Sequence, residues 1–169
     1  MTENNINPKA LKASIKSAKR TDDNIELAVR LSNSAARALH YIADVRTRKY
    51  DSETRTLTLS LSDEGREVIP TTIGKLPEFR YIGPESDAEI QLKVPSKLVK
   101  LSRTAPPGEL AFEAHHLSDA EKVVVEVAWA DVPYYNDTRI TDDMRLPAAR
   151  WEQYKARATM ELEGGTPKS

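Results

Sequence analysis

Hydrophobic and polar positions alternate along most of this chain. Ile25, Leu27, Val29 and Leu31 alternate with Glu26, Ala28, Arg30 and Ser32, a period of two that marks a half-buried strand. Leu57, Leu59 and Leu61 repeat the pattern against Thr56, Thr58 and Ser60, and Ile90, Leu92 and Val94 against Glu89, Gln91 and Lys93. Val123, Val125, Val127 and Trp129 form one more such face, in a strand that ends before Pro133. Residues 10–18 also alternate, with a helix as the rival because Ala and Lys are good helix formers. Residues 35–48 fit either period, and the strand is favoured because a turn and a clear strand follow. Shorter strands are expected around Phe79–Ile82 and Leu110–Ala114, and a single helical turn around 96–102.

Turn clusters separate these runs: Thr21-Asp22-Asp23-Asn24, Asn33-Ser34, Tyr50–Thr54, Ser62–Gly65 and Gly83–Asp87. Strand, polar turn, strand reads as an antiparallel hairpin, once over residues 10–31 and again over 35–61. The C-terminal part differs. Pro147 suits a first helical turn, and Trp151, Tyr154 and Ala158 fall at helical spacing. A helix over about 147–158 is expected, with a final strand through Ala156, Ala158, Met160 and Leu162 as the rival. The expected organisation is a flexible terminus over 1–8, one domain over 9–163 and a flexible tail over 164–169.

Seven or eight short strands with this patterning predict an all-β, antiparallel sandwich, with a small closed barrel as the alternative. The strand Ile25–Leu31, then Asn33-Ser34 and Arg37-Ala38-Leu39, and later Phe79-Arg80-Tyr81-Ile82-Gly83-Pro84-Glu85-Ser86-Asp87-Ala88-Glu89-Ile90, resembles bacterial immunoglobulin-like or fibronectin-type-III-like domains. In such domains an early strand ends in an Asn-containing turn, and a Gly-Pro-Glu-type turn leads into a later alternating strand. The resemblance spans roughly residues 10–132 and implies an immunoglobulin-like β-sandwich. That architecture hosts adhesins, chaperones, accessory modules and protease inhibitors, so it does not select a function.

With 169 residues the chain is long enough for a sizeable core. It has no cysteine, which excludes a disulfide framework, a thiol nucleophile and Cys-ligated metal. The formal net charge is -1, unlike the basic balance of most nucleic-acid-coating proteins. Charge is nevertheless uneven. Residues 1–50 hold 10 basic and 5 acidic side chains, residues 105–169 hold 7 and 12. Lys9, Lys12, Lys16, Lys19, Arg20, Arg46, Arg48 and Lys49 form either a basic surface or solvated charges beside an acidic end. Few aromatic residues are interleaved with them, so nucleic acid is a minor expectation. No apolar run suits a signal peptide or a spanning helix, so a cytoplasmic protein without membrane contact is expected.

Phosphate-cradling, nucleophile-elbow and metalloprotease motifs are absent. His115 and His116 would point to opposite faces of a strand, which makes a polar strand end a better reading than a shared metal. The carboxylates Asp131, Asp137, Asp142 and Asp143 lack EF-hand spacing and read as a solvated acidic loop. No cofactor is expected. Trp129–Tyr135 is the densest aromatic stretch. Trp129 reads as core, while Tyr134, Tyr135 and Arg139 are the candidate partner-binding residues. The sequence therefore predicts a non-enzymatic module that binds a protein partner through end loops or a sheet edge, with homo-oligomerisation compatible. One alternative is a protease-inhibitor-like protein using segments 70–78 and 103–108. A metal-dependent hydrolase around His115, His116 and the acidic loop is the other.

Overall fold

The computed structural model describes residues 6–64, 77–101, 112–134 and 151–162, with the side chains of 98–101, 112–116 and 118 excluded. It is an all-β protein of eleven described strands. In chain order these are β1 (Leu11–Arg20), β2 (Asn24–Asn33), β3 (Leu39–Ile42), β4 (Thr47–Asp51), β5 (Thr56–Leu61) and β6 (Phe79–Ile82). They continue with β7 (Asp87–Pro95), β8 (Lys97–Leu101), β9 (Phe112–His116), β10 (Lys122–Ala130) and β11 (Tyr154–Glu161). One 3-10 turn, Leu117–Asp119, joins β9 to β10. Among the described residues no helix is long and apolar enough to cross a membrane.

One sheet has the order β1-β2-β7, and a second runs β4-β5-β10-β3-β6 with β11 also on β10. A third, two-stranded sheet pairs β8 with β9. A strand has two edges, and β11 occupies one edge of β10 from Lys122 to Trp129. The other edge is therefore shared. β5 takes Lys122–Val127 and β3 takes Trp129 and Ala130. The chain leaves β3 through a bend at Ala43–Arg46 and returns as β4 beyond β5, where the Arg46 N–H donates to the Ser60 carbonyl at 2.8 Å. The two larger sheets share one core built from Ile25, Leu27, Val29, Leu31, Leu92, Leu57, Leu59, Val125, Val127 and Trp129, among others. On one side of this core β1 runs close to β11.

Four expectations are corrected. Eleven strands are described rather than the seven or eight expected, because the run over 35–48 breaks into β3 and β4, residues 97–101 form β8 and the C-terminal segment adds β11. The fold is not wholly antiparallel: β5 and β10 pair in parallel. Residues 97–101 are strand, not a helical turn, because pairing with β9 satisfies backbone groups that a lone turn leaves open. The helix expected from about 147 to 158 gives way to strand β11 over Tyr154–Glu161. Ala156 and Ala158 turn inward while Lys155, Arg157, Thr159 and Glu161 face water, and the open edge of β10 supplies a full ladder. Residues 147–150 lie outside the described residues, as do 1–5 of the expected flexible terminus and the tail 164–169. Asn7–Ala10 form a turn, and Ile6 packs on the core.

Asn33 ties the crossovers between the sheets together. It is 2 % exposed. Its Nδ2 donates to the carbonyls of Arg37 at 2.8 Å, Gly83 at 2.9 Å and Ile82 at 3.2 Å, and its Oδ1 accepts from the Ala35 N–H at 2.8 Å. The Asn-containing turn and the Gly83-Pro84-Glu85 turn, fifty residues apart in sequence, thus meet at one side chain. Glu85 sits in the left-handed backbone region at φ 52°, and its N–H donates to the Ala35 carbonyl at 3.1 Å.

Candidate functional site

The side of the core away from β1 and β11 is bounded by β6 and β7, each an edge strand among the described residues and joined at one end by the turn Gly83–Ser86. A cleft of about 670 Å³ lies between them, lined by Ala43–Arg46, Arg48, Glu78 and Arg80 on one wall and Glu89–Val94 on the other.

The register determines which backbone groups β7 offers there. Beyond the two ends of the β2–β7 ladder, the Asn33 N–H donates to Ser86 at 2.8 Å and the Ser96 N–H to Asp23 at 2.9 Å, both in register. Antiparallel pairs alternate between bonded and non-bonded positions. Ala88, Ile90, Leu92 and Val94 therefore bond to β2. Asp87, Glu89, Gln91 and Lys93 present their N–H and carbonyl groups to the open edge. Pro95 continues this outward set, at a position where an N–H would not serve β2. The same argument holds for β6. The Ala43 N–H donates to Glu78 at 2.8 Å, so Phe79 and Tyr81 carry the outward groups.

Charge in the cleft is mostly committed. Arg46, its side chain 6 % exposed, binds Asp63 through Nε at 2.7 Å and Asp44 through Nη1 at 3.1 Å. Burial opposes its charge, yet the two carboxylates outweigh that and raise its pKa. Glu78 is paired with Arg80, and Glu89 with Lys16 at 2.9 Å. Arg48 and Lys93 are exposed and have no ion-pair partner among the described residues. Arg48 stands opposite the core residue Leu59, so it leaves β4 on the core-facing side, at the mouth of the cleft.

Beside Arg46 lies a polar cover. Asp63 donates its N–H to half-buried Glu152 at 2.6 Å, and the buried Ser62 hydroxyl also donates to Glu152. Burial raises the Glu152 pKa, and these two bonds only partly offset it.

The candidate loop residues separate. Tyr134 stacks on Phe79 with ring centroids 4.4 Å apart, and Trp151 meets Phe79 edge-on at 5.0 Å. The Trp151 indole N–H donates to the Val132 carbonyl at 2.7 Å. Tyr134 thus packs in an aromatic cluster over β6. Tyr135 and Arg139 lie outside the described residues, as do Asp137, Asp142, Asp143, segment 103–108 and residues 70–76. Trp129 is fully buried and lies against Tyr154 at 4.5 Å, as a core residue should. Asp131 pairs with Arg37 at 3.2 Å. His115 and His116 are in β9, with side chains outside the description. His40 is in β3, and burial lowers its pKa. Among the described residues no three His, Asp or Glu side chains group as metal ligands.

The basic residues near the N-terminus do not make one surface. Arg20 donates to the Leu117 and Ala120 carbonyls at 2.9 and 2.6 Å, and Arg46 is buried in its ion pairs. The sequence groups Arg48 with these, marks Asn33 only as a turn residue, and gives Lys93 and Glu152 no role. Only the alternation that put Lys93 on the polar side of β7 hinted at its place.

No protein-family model and no curated protein matches the sequence. Among solved structures the chain is similar to the β-glucosidase of Kluyveromyces marxianus in complex with glucose, at 12 % identity and a TM-score of 0.31. It is also similar to the selenomethionine-labelled form of that β-glucosidase, at 12 % identity and a TM-score of 0.29. Each match covers 91 % of this chain and 14 % of the other, so the chain spans a small part of those proteins. A likeness this slight assigns neither fold kinship nor activity.

Proposed function

We propose that this protein is a non-enzymatic interaction module of immunoglobulin-like type that holds an extended segment of a partner protein against the open edge of β7. Strand order supports the architectural part. Immunoglobulin-type sandwiches join strands A, B and E in one sheet and C, F and G in the other. Here β1, β2 and β7 take the A, B and E places, and β3, β10 and β11 the C, F and G places. The β4–β5 and β8–β9 hairpins are additions to that plan.

One observation carries the functional part: the outward backbone groups of Glu89, Gln91 and Lys93 border an open cleft. An added strand satisfies such groups with main-chain hydrogen bonds, and the side chains around it set selectivity. The packed position of Tyr134 moves the reading from the end loop to this edge.

Affinity capture from the host's lysate, run with the native chain and with Gln91→Pro, tests it. The substitution removes one outward donor and spares the β2 ladder. The native chain should retain a stoichiometric partner that Gln91→Pro loses, and the amides of Glu89, Gln91 and Lys93 should exchange deuterium more slowly in the complex. Equal retention by both proteins, slowed exchange elsewhere, or no partner from folded protein overturns the reading.

A further inference from the structure

We infer that the segment taken up by this cleft is acidic: an extended stretch of a partner protein with carboxylates on both of its faces. The inference rests on the edge reading above and adds the chemistry of the occupant. Four cations and three carboxylates line the cleft. Asp44 and Glu78 are held by arginines within it, and Glu89 by Lys16, which lies outside it. The unspent charge is that of Arg48 and Lys93.

These two cations address different faces of an added strand. In an antiparallel or parallel ladder, residues directly opposed project to the same face. A residue set against Lys93 projects to the solvent face of the β1-β2-β7 sheet. Its chain neighbours project to the other face, where Ile90, Leu92 and Val94 lead into the core and Arg48 stands at the mouth. A carboxylate on each face meets a cation with no ion-pair partner among the described residues, while apolar side chains at the remaining inward positions meet Ala43 and Val45.

A second copy of this chain fits less well. Its β7 offers Asp87 and Glu89, but Arg30 and Lys16 already hold them. It would also bring another Arg48 and Arg80 to the same cleft, and like charges in an interface oppose association.

The test uses the full chain and three blocked peptides of about eight residues, the length of an ordinary strand. Each alternates valine and threonine around two adjacent central residues: two glutamates, two glutamines or two lysines. Binding is followed by fluorescence anisotropy up to about 1 mM protein. The glutamate peptide should bind about fivefold or more tighter than the glutamine peptide, and the lysine peptide weakest. Raising salt from about 20 mM to about 500 mM should remove that preference, since the Debye length shrinks across this range. Arg48→Glu combined with Lys93→Glu alters two exposed positions and should make the lysine peptide the preferred ligand. Gln91→Pro should weaken all three peptides.

Equal binding of the three peptides overturns the acidic assignment and leaves the edge reading standing. Self-association that Gln91→Pro abolishes, without glutamate-peptide binding, names a second copy as occupant and overturns it too. No binding of the glutamate peptide at about 20 mM salt overturns it directly, and lysate capture then judges the edge reading separately.

Discussion

β10 and β7 are both nine-residue strands, and they live in opposite surroundings. β10 has neighbours along both edges and is buried on both faces: Val123–Val125 and Val127–Ala130 are all buried. Among the described residues β7 has one paired edge, and it has one buried face. The difference is written in polarity. β10 carries two charged residues, while β7 gives every second position to Asp87, Glu89, Gln91 and Lys93. An enclosed strand needs apolar side chains everywhere, whereas charges and a proline keep an uncovered edge from pairing with arbitrary chains. Discrimination at the β7 edge thus begins with its own sequence.

The largest effect should come from breaking β7 on its paired side. Leu92→Pro removes a bond to β2, clashes at a buried position and deletes a core side chain. Urea unfolding should show a loss of about 5 kcal/mol or more, or no folded protein. Trp129→Ala in β10 should cost about 3–5 kcal/mol in the same experiment, because it empties the space beside Tyr154 and Tyr41. Asn33→Ala should cost about 2–3 kcal/mol, since it strips donors from three carbonyls at the crossover that leads into β7. A loss under about 0.5 kcal/mol would show that water replaces the amide there.

How legible was this contrast before the structure? The alternation of Ile90, Leu92 and Val94 located β7 and chose its buried face. The unbroken apolar runs in β10 are equally visible, since Val124 and Ala128 stand between Lys122 and Glu126 on the face opposite Val123, Val125 and Val127. Neither pattern reveals which strands are edges, because pairing partners lie far away in the chain: β7 joins β2 across more than fifty residues. The C-terminal segment was ambiguous for a different reason. Trp151 and Tyr154 satisfy helical spacing, yet they serve separate aromatic contacts, with Phe79 and with Trp129. The cleft was invisible in the sequence because its walls come from the β3–β4 bend, β4, β6 and β7, which lie far apart in the chain. Its free charge could be recognised only after its neighbours' ion pairs were known.

A smaller effect concerns pH. Glu152 accepts hydrogen bonds from Ser62 and Asp63 just beyond β5, and burial raises its pKa above 4.5. The folded protein therefore holds that proton to higher pH than the unfolded chain. Its contribution to stability is full below the ordinary glutamate range and is lost as pH rises through the raised value. Thermal melts between pH 4.5 and about pH 7 should fall less for Glu152→Gln than for the native chain. Asp87 and Glu89 act in the opposite window. Arg30 and Lys16 hold their pKa values low, so their contribution is lost as pH drops through those values. The smallest effect on stability should be that of Gln91→Pro, about 1 kcal/mol or less by urea unfolding. A large loss there, comparable with Leu92→Pro, would mean that the two positions do not differ in the direction of their N–H groups.

The parallel union of β5 with β10 also has a consequence in time. Leu57, Leu59 and Leu61 leave the ribosome 66 residues before the valines they pair with. The hairpin with β4 can form at once, but the other edge of β5 stays bare until Val127 has emerged. β3 waits longer, for Trp129 and Ala130. Pairings this distant in sequence make folding slow, on the order of milliseconds to seconds. During synthesis the nascent chain carries an apolar strand edge that only its own last third can cover, and that interval is when aggregation competes with folding.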